Sequence, residues 1–331
     1  MAGWLIRRTL FAFATLWAIS MLSFVVIQIP PGDYVTSYIA QLQAQGTIFT
    51  EHEAQALRDL YGLDQPVILQ YFRWLGLMAQ GNFGVSFEFN RPVLDVIGDR
   101  FLLTIVVSVA ALLLTWIVAL PIGIYSAVKQ YSIGDYAFTF IGFIGLAVPG
   151  FLLALVLMYF GFVLFDANVG GLFSPEYAQA DWSWDKFWDL MQHMPIPALA
   201  LGLAGTAFLI RIMRANLLDE LRKPYLVTAR AKGLTNNRAV LKYPVRVALN
   251  PFVSIVPFVL RDIVGGSVIV SIVLSLPTVG PILLKSLIAQ DSFLAGTIIL
   301  LLGVITVVGT LISDILLVIL DPRIKFEARG G

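Results

Sequence analysis

The sequence predicts an all-α membrane protein with about six transmembrane helices. Hydrophobic residues make up 58% of the 331 residues and charged residues only 13%, whereas soluble domains are closer to a half apolar and a quarter charged. Several apolar segments reach the length of about 20 helical residues that a bilayer core requires. Lysine and arginine are concentrated in alternate connecting segments, as in multi-pass membrane proteins. So much apolar surface cannot be buried in one aqueous globule.

Six segments are predicted to span the membrane, and the fourth is the shortest. They are Thr9–Ile29, Phe101–Val128, Tyr136–Phe165, Pro195–Met213, Pro251–Leu276 and Phe293–Leu320. The third is long enough to tilt strongly or to break at Pro149-Gly150, because proline removes a backbone donor and glycine loosens a helix. The first, which follows Arg7 and Arg8, is interpreted as a retained anchor, because its apolar run exceeds that of a cleaved signal peptide.

The distribution of positive charge predicts the orientation of the chain. With a cytoplasmic N-terminus, 15 of the 22 lysines and arginines fall in inside segments, six fall in outside segments and Arg261 lies within a span. Both termini are therefore predicted to be cytoplasmic. The resulting organisation is a cytoplasmic N-terminus with the first helix (1–29), an extracytoplasmic lobe (30–100), a five-helix core (101–320) with a cytoplasmic loop (214–250), and a cytoplasmic tail (321–331).

Two outside segments carry recognisable patterns. The first contains a helical stretch that ends at Tyr61-Gly62 and an amphipathic stretch from Pro66 to Gln80, whose apolar face suits the membrane interface. The second gathers Trp182, Trp184 and Trp188. These tryptophans are interpreted as an aromatic belt at helix ends, in preference to a ligand cage.

Several kinds of site are absent from the sequence. The chain has no cysteine and two histidines, so no metal site of the usual Cys/His kind is expected. His52-Glu53 begins like the zinc-protease signature His-Glu-x-x-His, but the second histidine is missing. No Gly-x-x-x-x-Gly-Lys-Ser/Thr phosphate loop occurs. A net charge of +1 gives no reason to expect nucleic acid as a partner.

The inside segment from Arg211 to Asn250 is too long for a simple turn. A short helix is predicted around Thr228–Leu234, with Gly233 suited to its C-terminus and with Arg230 and Lys232 near the negative end of its dipole. Such a helix could dock into the cleft of a partner protein. Its cations could equally contact anionic lipid headgroups, and the residues alone leave both interpretations open.

Several motifs resemble one family of transport proteins. The stretch Thr228-Ala229-Arg230-Ala231-Lys232-Gly233-Leu234 resembles the EAA loop of binding-protein-dependent ABC permeases of the dipeptide and oligopeptide branch. Nearly the whole chain is similar to the B-type subunit of that branch. The other matching stretches are Leu241–Arg246, Ala248–Pro251, Ile29–Asp33, Tyr61–Pro66, Phe83–Ser86, Arg91–Val93 and Asp321–Lys325.

The resemblance implies a type I ABC importer permease fold, in which residues 228–234 form a coupling helix. It also implies a homologous second permease subunit, two cytoplasmic ATPase subunits that hold ATP and magnesium, an extracytoplasmic solute-binding protein, and a location in the bacterial inner membrane. This chain would then be neither an enzyme nor the holder of a cofactor. Peptides are the implied solutes, with oligosaccharides or other small solutes as the alternative. An ion-gradient-driven secondary transporter is the rival class, but no internal repeat supports it.

The chain departs from the family pattern at several positions. Val227 and Thr228 replace the consensus glutamate and first alanine of the loop, Tyr243 stands where a histidine is usual, and the Pro-Gly-x-Gly turn becomes Pro277-Thr278-Val279-Gly280. Ser271 and Thr310 correspond to a glutamate and an asparagine of the family's spans. Because ionisable groups inside spans often mark transport routes, Arg261 and Asp262 are candidate pathway residues, and a structural role is the equal alternative for both. Ser271 is a third candidate, because it stands at the position of the family's glutamate. A packing role is favoured for Asp314.

Overall fold

The computed structural model describes residues 2–29, 32–44, 50–165 and 170–320. Within these ranges every regular element is a helix apart from one short antiparallel hairpin, which confirms the predicted all-α fold class. The elements are α1 (Ala2–Gln28), α2 (Tyr34–Ala44), α3 (Glu51–Tyr61), α4 (Val67–Ala79), β1 (Val85–Ser86), β2 (Arg91–Pro92), α5 (Val93–Val128), α6 (Ile133–Ala147), α7 (Gly150–Phe165), α8 (Trp184–His193), α9 (Pro195–Leu221), α10 (Pro224–Ala231), α11 (Asn236–Lys242), α12 (Pro244–Ser254), α13 (Val256–Val273), α14 (Val279–Ile288) and α15 (Ser292–Leu320). The predicted tail 321–331 lies outside the described residues.

The described residues contain four single helices that are long and apolar enough to cross a membrane, and two bent helix pairs that raise the number to six if each pair is one span. The single helices are Ile6–Gln28, Val93–Val128, Val256–Val273 and Ser292–Leu320. The pairs are Ile133–Ala147 with Gly150–Leu164 and Pro195–Leu203 with Gly205–Leu221. This number agrees with the six spans predicted from the sequence.

The third predicted span is broken, with an angle of 109° between α6 and α7. Val148 is extended (φ −90°, ψ 122°), as favoured before a proline, and Pro149 has no N–H to continue the helix. Gly150 begins α7 close to another backbone, since a Cβ there would lie 3.1 Å from the carbonyl oxygen of Ala200. The break predicted at Pro149-Gly150 is confirmed.

The predicted start of the fifth span at Pro251 is wrong. Pro251 lies inside α12, and the chain is interrupted at Ile255 (φ −90°, ψ −8°) before α13 begins. Pro257 has no N–H for the helical bond to the carbonyl oxygen of Val253. That oxygen accepts a hydrogen bond from the Ser313 hydroxyl instead, at 2.7 Å. The apolar run in the sequence therefore folds as two helices.

The chain divides into two compact units. The first contains the described residues of Met1–Leu5, Thr104–Pro277 and Thr306–Gly331. Its central helix is α9, which packs against α6, α7, α12 and α13. Leu209, Met213 and Leu217 of α9 are buried in one cluster with Phe252. Because α9 extends beyond the predicted end at Met213 to Leu221, this core reaches the helices that follow it.

The second unit, Ile6–Leu103 with Thr278–Ile305, contains the lobe predicted outside the membrane. As predicted, its third helix ends at Tyr61-Gly62, where Gly62 takes a left-handed φ of 68°. Asp33 joins α2 to α3, because its carboxylate accepts hydrogen bonds from Thr36 at 2.7 Å and from Arg58 Nε at 2.8 Å. Burial raises the pKa of Asp33, but these hydrogen bonds outweigh it and the pKa falls below its ordinary value.

The amphipathic stretch from Pro66 to Gln80 forms α4 and its two flanking residues. Tyr71 and Trp74 are buried against Phe24 of α1, with Phe24 and Trp74 stacked at 5.8 Å between ring centroids. Ile68 and Phe72 on the other face are 70% and 58% exposed. The helix therefore has one packed face and one free apolar face, and the predicted contact of the free face with the membrane interface stays a prediction.

The tryptophan-rich segment forms α8 and the loop before it. The Nζ atom of Lys186 lies 4.9 Å from the ring centroid of Phe173 and 5.2 Å from that of Trp182. Trp184 and Trp188 remain 71% and 54% exposed. Because a buried lysine of the chain itself lies over the ring of Trp182, that face is not open to an external cation.

Candidate functional site

The loop between α9 and α13 folds into three short helices, α10, α11 and α12. Lys223 is extended (φ −74°, ψ 143°) and Pro224 is the first residue of α10, the arrangement expected when proline begins a helix. The predicted helix around Thr228–Leu234 is thus partly displaced, since α10 begins at Pro224 and ends at Ala231. The Lys223-Pro224 pair is the sequence signal that marks this earlier start.

Gly233 terminates α10 as predicted. Its φ is +86°, in the left-handed region where only glycine is unstrained. The N–H of Gly233 donates to the carbonyl of Arg230 at 2.9 Å, and the N–H of Leu234 donates to the carbonyl of Ala229 at 3.3 Å. Nothing lies within 4 Å of a Cβ built at Gly233, so its backbone conformation alone requires glycine.

Two faces of α10 have opposite environments. Leu226 and Ala229 are 1% and 6% exposed and belong to the same buried cluster as Leu217 of α9. The other side, called here the exposed α10 face, consists of Val227, Thr228, Arg230 and Ala231. Val227 is 66% exposed. The helix is therefore attached to the span α9 through one face and presents a small apolar and cationic surface on the other.

Tyr225 holds the N-terminal end of α10 against α9. Its hydroxyl donates a hydrogen bond to the Glu220 carboxylate, and its ring lies 6.4 Å from that of Tyr243. Burial and the neighbouring Glu220 both raise the pKa of Tyr225, so the hydroxyl keeps its proton and remains a donor at neutral pH. Tyr243, at the position where the family usually has histidine, thus contributes packing to the base of α10.

The helices α11 and α12 complete the support of α10. Ala239 and Val240 of α11 and Ala248 of α12 are buried in the α9 cluster. Leu241 is 58% exposed. Arg238, Lys242 and Arg246 are also exposed. The whole segment therefore has a packed apolar base and a cationic outer surface.

The three candidate pathway residues have different environments. Arg261 of α13 is exposed, and its guanidinium lies 5.6 Å from the ring centroid of Phe258, which is 56% exposed. Ser271 is 0% exposed, which places it on the packed side of α13. The side chain of Asp262 lies outside what the structure describes. A Cβ built at Gly265 would have no atom of the described chain within 4 Å, so this side of α13 has no packing partner among the described residues.

The structure explains the partial zinc-protease signature. Glu53 accepts hydrogen bonds from the N–H and hydroxyl of Thr50, both at 2.8 Å, and Thr50 in turn caps α3. The His-Glu pair is therefore part of a helix start. No group of three or more potential metal-ligating side chains occurs in the described part of the chain.

Two polar clusters were missed by sequence reasoning. Asp135 of α6 accepts a bidentate pair of hydrogen bonds from Arg214 of α9, at 3.0 and 2.8 Å. Asp291 is 0% exposed and accepts hydrogen bonds from the Ser86 hydroxyl at 2.6 Å, from the N–H of Glu88 at 3.1 Å and from the N–H of Leu294 at 3.1 Å. Each joins residues far apart in the chain, so no local pattern signals it.

Comparison with known families decides the class of protein. Residues 119–326 match the family described as the inner membrane component of binding-protein-dependent transport systems, and residues 1–109 match its N-terminal membrane component. The chain belongs to this family. It is a permease subunit of a transport system and a multi-pass inner membrane protein.

Curated relatives match over nearly the full length. The oligopeptide transport system permease protein AppB of Bacillus subtilis is 35% identical, over 98% of this chain and 100% of its own length. The dipeptide transport system permease protein DppB of Lactococcus lactis is 29% identical, over 98% of this chain and 100% of its own length. The glutathione transport system permease protein GsiC of Escherichia coli K12 is 30% identical, over 99% of this chain and 100% of its own length.

Proposed function

We propose that this permease subunit forms half of the membrane channel of an ATP-driven importer of di- and oligopeptides. A homologous second permease subunit supplies the other half, an extracytoplasmic binding protein delivers the peptide, and two cytoplasmic ATPase subunits hold ATP and magnesium. The observation that supports this best is the exposed α10 face on a helix anchored to a span. The names of the relatives, which refer to oligopeptide, dipeptide and glutathione transport, support peptides as the solutes.

The packing of α10 suits the transmission of force. Leu226 and Ala229 contact the buried cluster of α9, and Tyr225 adds a hydrogen bond to Glu220. Packed interiors move as units because they have little free volume. When an ATPase subunit that grips the exposed α10 face moves, α10 and α9 move together as one body. Residues Thr228–Leu234, at the end of α10 and in its C-terminal turn, are therefore the proposed coupling segment.

The orientation follows from the same proposal. ATP is cytoplasmic, so α10 must face the cytoplasm, and the positive charge of residues 211–246 agrees with that side. Both termini then lie in the cytoplasm and the lobe lies outside. The alternative is that the cations contact lipid headgroups and the exposed Val227 enters the membrane interface. Copurification of an ATPase subunit with this chain distinguishes the two.

Uptake into proteoliposomes tests the proposed function. We expect the complex isolated through a tag on this chain, mixed with its binding protein, to accumulate labelled peptides only with hydrolysable ATP. Collapse of ion gradients by ionophores should leave this uptake unchanged. Uptake that does not require ATP and is abolished by ionophores would instead identify a secondary transporter. ATP-driven uptake of oligosaccharides but not of peptides would support the proposed ATP-driven importer and show that its solute is an oligosaccharide.

Arg261 and Asp262 are proposed to lie along the solute pathway, because Arg261 is on an exposed side of α13 next to Phe258. The packed position of Ser271 favours a structural role for that residue. We expect Arg261→Gln and Asp262→Asn to lower peptide uptake about tenfold, which corresponds to about 1.4 kcal/mol, while ATP hydrolysis by the complex persists. Unchanged uptake in both variants would remove them from the pathway. The substitution Asn237→Asp, on the exposed surface of α11, is the control.

A further inference from the structure

A groove of about 320 Å³ lies between α6 and α9. Its length is lined by apolar side chains, including Phe143 and Leu146 of α6 and Ile210 of α9. Gly142 lies opposite Ala207, where a built Cβ would be 3.6 Å from the Cβ of Ala207. The absence of a side chain at Gly142 therefore helps to keep the groove open, and its shape suits a flexible apolar chain.

The mouth of the groove carries one cation without an acidic partner. Arg211 and Arg214 both line it, and they lie on the same side of α9 because they are three residues apart. Asp135 neutralises Arg214 through two hydrogen bonds, at 3.0 and 2.8 Å. Arg211 is exposed, and no acid of the described chain lies within salt-bridge distance of it. Its charge is thus available to an external anion.

Two tyrosines add hydroxyl groups at the same mouth. Tyr131 and Tyr136 line the groove and are 69% and 62% exposed. Tyr131 has a φ of 64°, which is rare for a non-glycine residue. Its N–H donates to the Asp135 carboxylate at 3.0 Å, which holds it in this conformation. Tyrosines favour the boundary between lipid headgroups and acyl chains, so the mouth lies at the level of the headgroups.

From this arrangement we propose that the groove binds one anionic phospholipid. The phosphate-containing headgroup pairs with Arg211 and accepts hydrogen bonds from the tyrosine hydroxyls, and one acyl chain lies along α6 and α9. Basic pockets between transmembrane helices are known binding places for acidic lipid headgroups. The exposed guanidinium of Arg211 beside the apolar lining favours an amphipathic lipid over a purely apolar span of the second permease subunit. The site does not depend on which solute is carried.

Thermal unfolding of the purified complex, followed by tryptophan fluorescence during titration with lipid, tests this site. We expect dioleoyl phosphatidylglycerol to raise the unfolding midpoint about 5 °C more than dioleoyl phosphatidylcholine does, because a ligand that binds only the folded state stabilises it. Arg211→Gln should remove most of this difference, and Arg211→Lys should retain most of it. Gly142→Leu should also remove it, because leucine fills the groove while every charge remains.

Lys129→Gln is the matched control, because Lys129 is an exposed cation in the short loop before Tyr131 that does not line the groove. This variant should keep the full effect of phosphatidylglycerol. Equal losses in Arg211→Gln and Lys129→Gln would mean diffuse attraction to a charged surface and would overturn the site. A full effect in Gly142→Leu, or loss of the second permease subunit from that variant, would also overturn it, the latter because protein then occupies the groove.

Discussion

Val227→Asp should abolish peptide uptake while leaving the permease folded and in the membrane. Val227 is 66% exposed on α10, so a carboxylate is fully solvated in the free chain and costs little stability. In the proposed complex the same side chain lies under an ATPase subunit, where an unpaired buried charge costs several kcal/mol. A loss of about 3 kcal/mol in this contact lowers coupling about 100-fold.

Three measurements on the same preparation check this prediction. Peptide uptake and the amount of ATPase that copurifies should both fall, while the thermal unfolding midpoint of the chain should stay within about 2 °C of the unmodified protein, as usual for surface substitutions. Asn237→Asp introduces the same charge at an exposed position of α11, outside the exposed α10 face, and should leave uptake unchanged. Normal uptake in Val227→Asp would exclude this face as the ATPase contact.

Local chemistry accounts for the parts of the fold that the sequence predicts. Proline and glycine act through their own backbones, so the break at Pro149-Gly150 and the helix ends at Gly62 and Gly233 were predicted without tertiary information. The six apolar segments are likewise predicted from local sequence, because the thickness of the bilayer determines how many apolar residues a spanning helix needs. The pair Lys223-Pro224 also marks the start of α10, whereas the motif at Thr228–Leu234 covers only the end of this helix and the turn after it.

Long-range polar contacts could not be predicted in this way. Asp135 and Arg214 are 79 residues apart, and Ser86 and Asp291 are 205 residues apart. An isolated aspartate between two helices looks like any capping residue, and indeed the carboxylate of Asp291 also accepts the N–H of Leu294 in the first turn of α15. Likewise the carbonyl oxygen of Val253, which Pro257 cannot use, accepts its hydrogen bond from Ser313, 60 residues away. Such partners become visible only in the folded chain.

Asp291 should have the largest effect on stability, because its buried carboxylate joins the β1–β2 hairpin to the start of α15. In Asp291→Asn the amide NH₂ must face either the N–H of Glu88 or the N–H of Leu294. One buried donor then loses its acceptor, at a cost of about 1–3 kcal/mol. Asp291→Ala removes the acceptors of both N–H groups and of the Ser86 hydroxyl. We expect the unfolding midpoint to fall by about 5 °C for asparagine and by about 10 °C or more for alanine.

Glu88→Gln provides the control at the same hairpin, because the Glu88 carboxylate pairs with Lys285 at 3.0 Å and Lys285 is 57% exposed. The Glu88 side chain is 16% exposed, so the pair is only partly open to solvent. A pair with one exposed partner contributes about 1 kcal/mol, so the midpoint should fall less than in Asp291→Asn. Burial raises the pKa of Asp291, although hydrogen bonds from Ser86 and from backbone N–H groups oppose it. The folded chain then binds this proton more tightly than the unfolded chain, so stability rises as the pH falls towards the folded pKa. The stability difference between the unmodified chain and Asp291→Asn should therefore grow as the pH is lowered from neutral towards the ordinary pKa of an aspartate, about 4. An unchanged midpoint in Asp291→Asn at both ends of this pH range would mean that the carboxylate does not hold the hairpin.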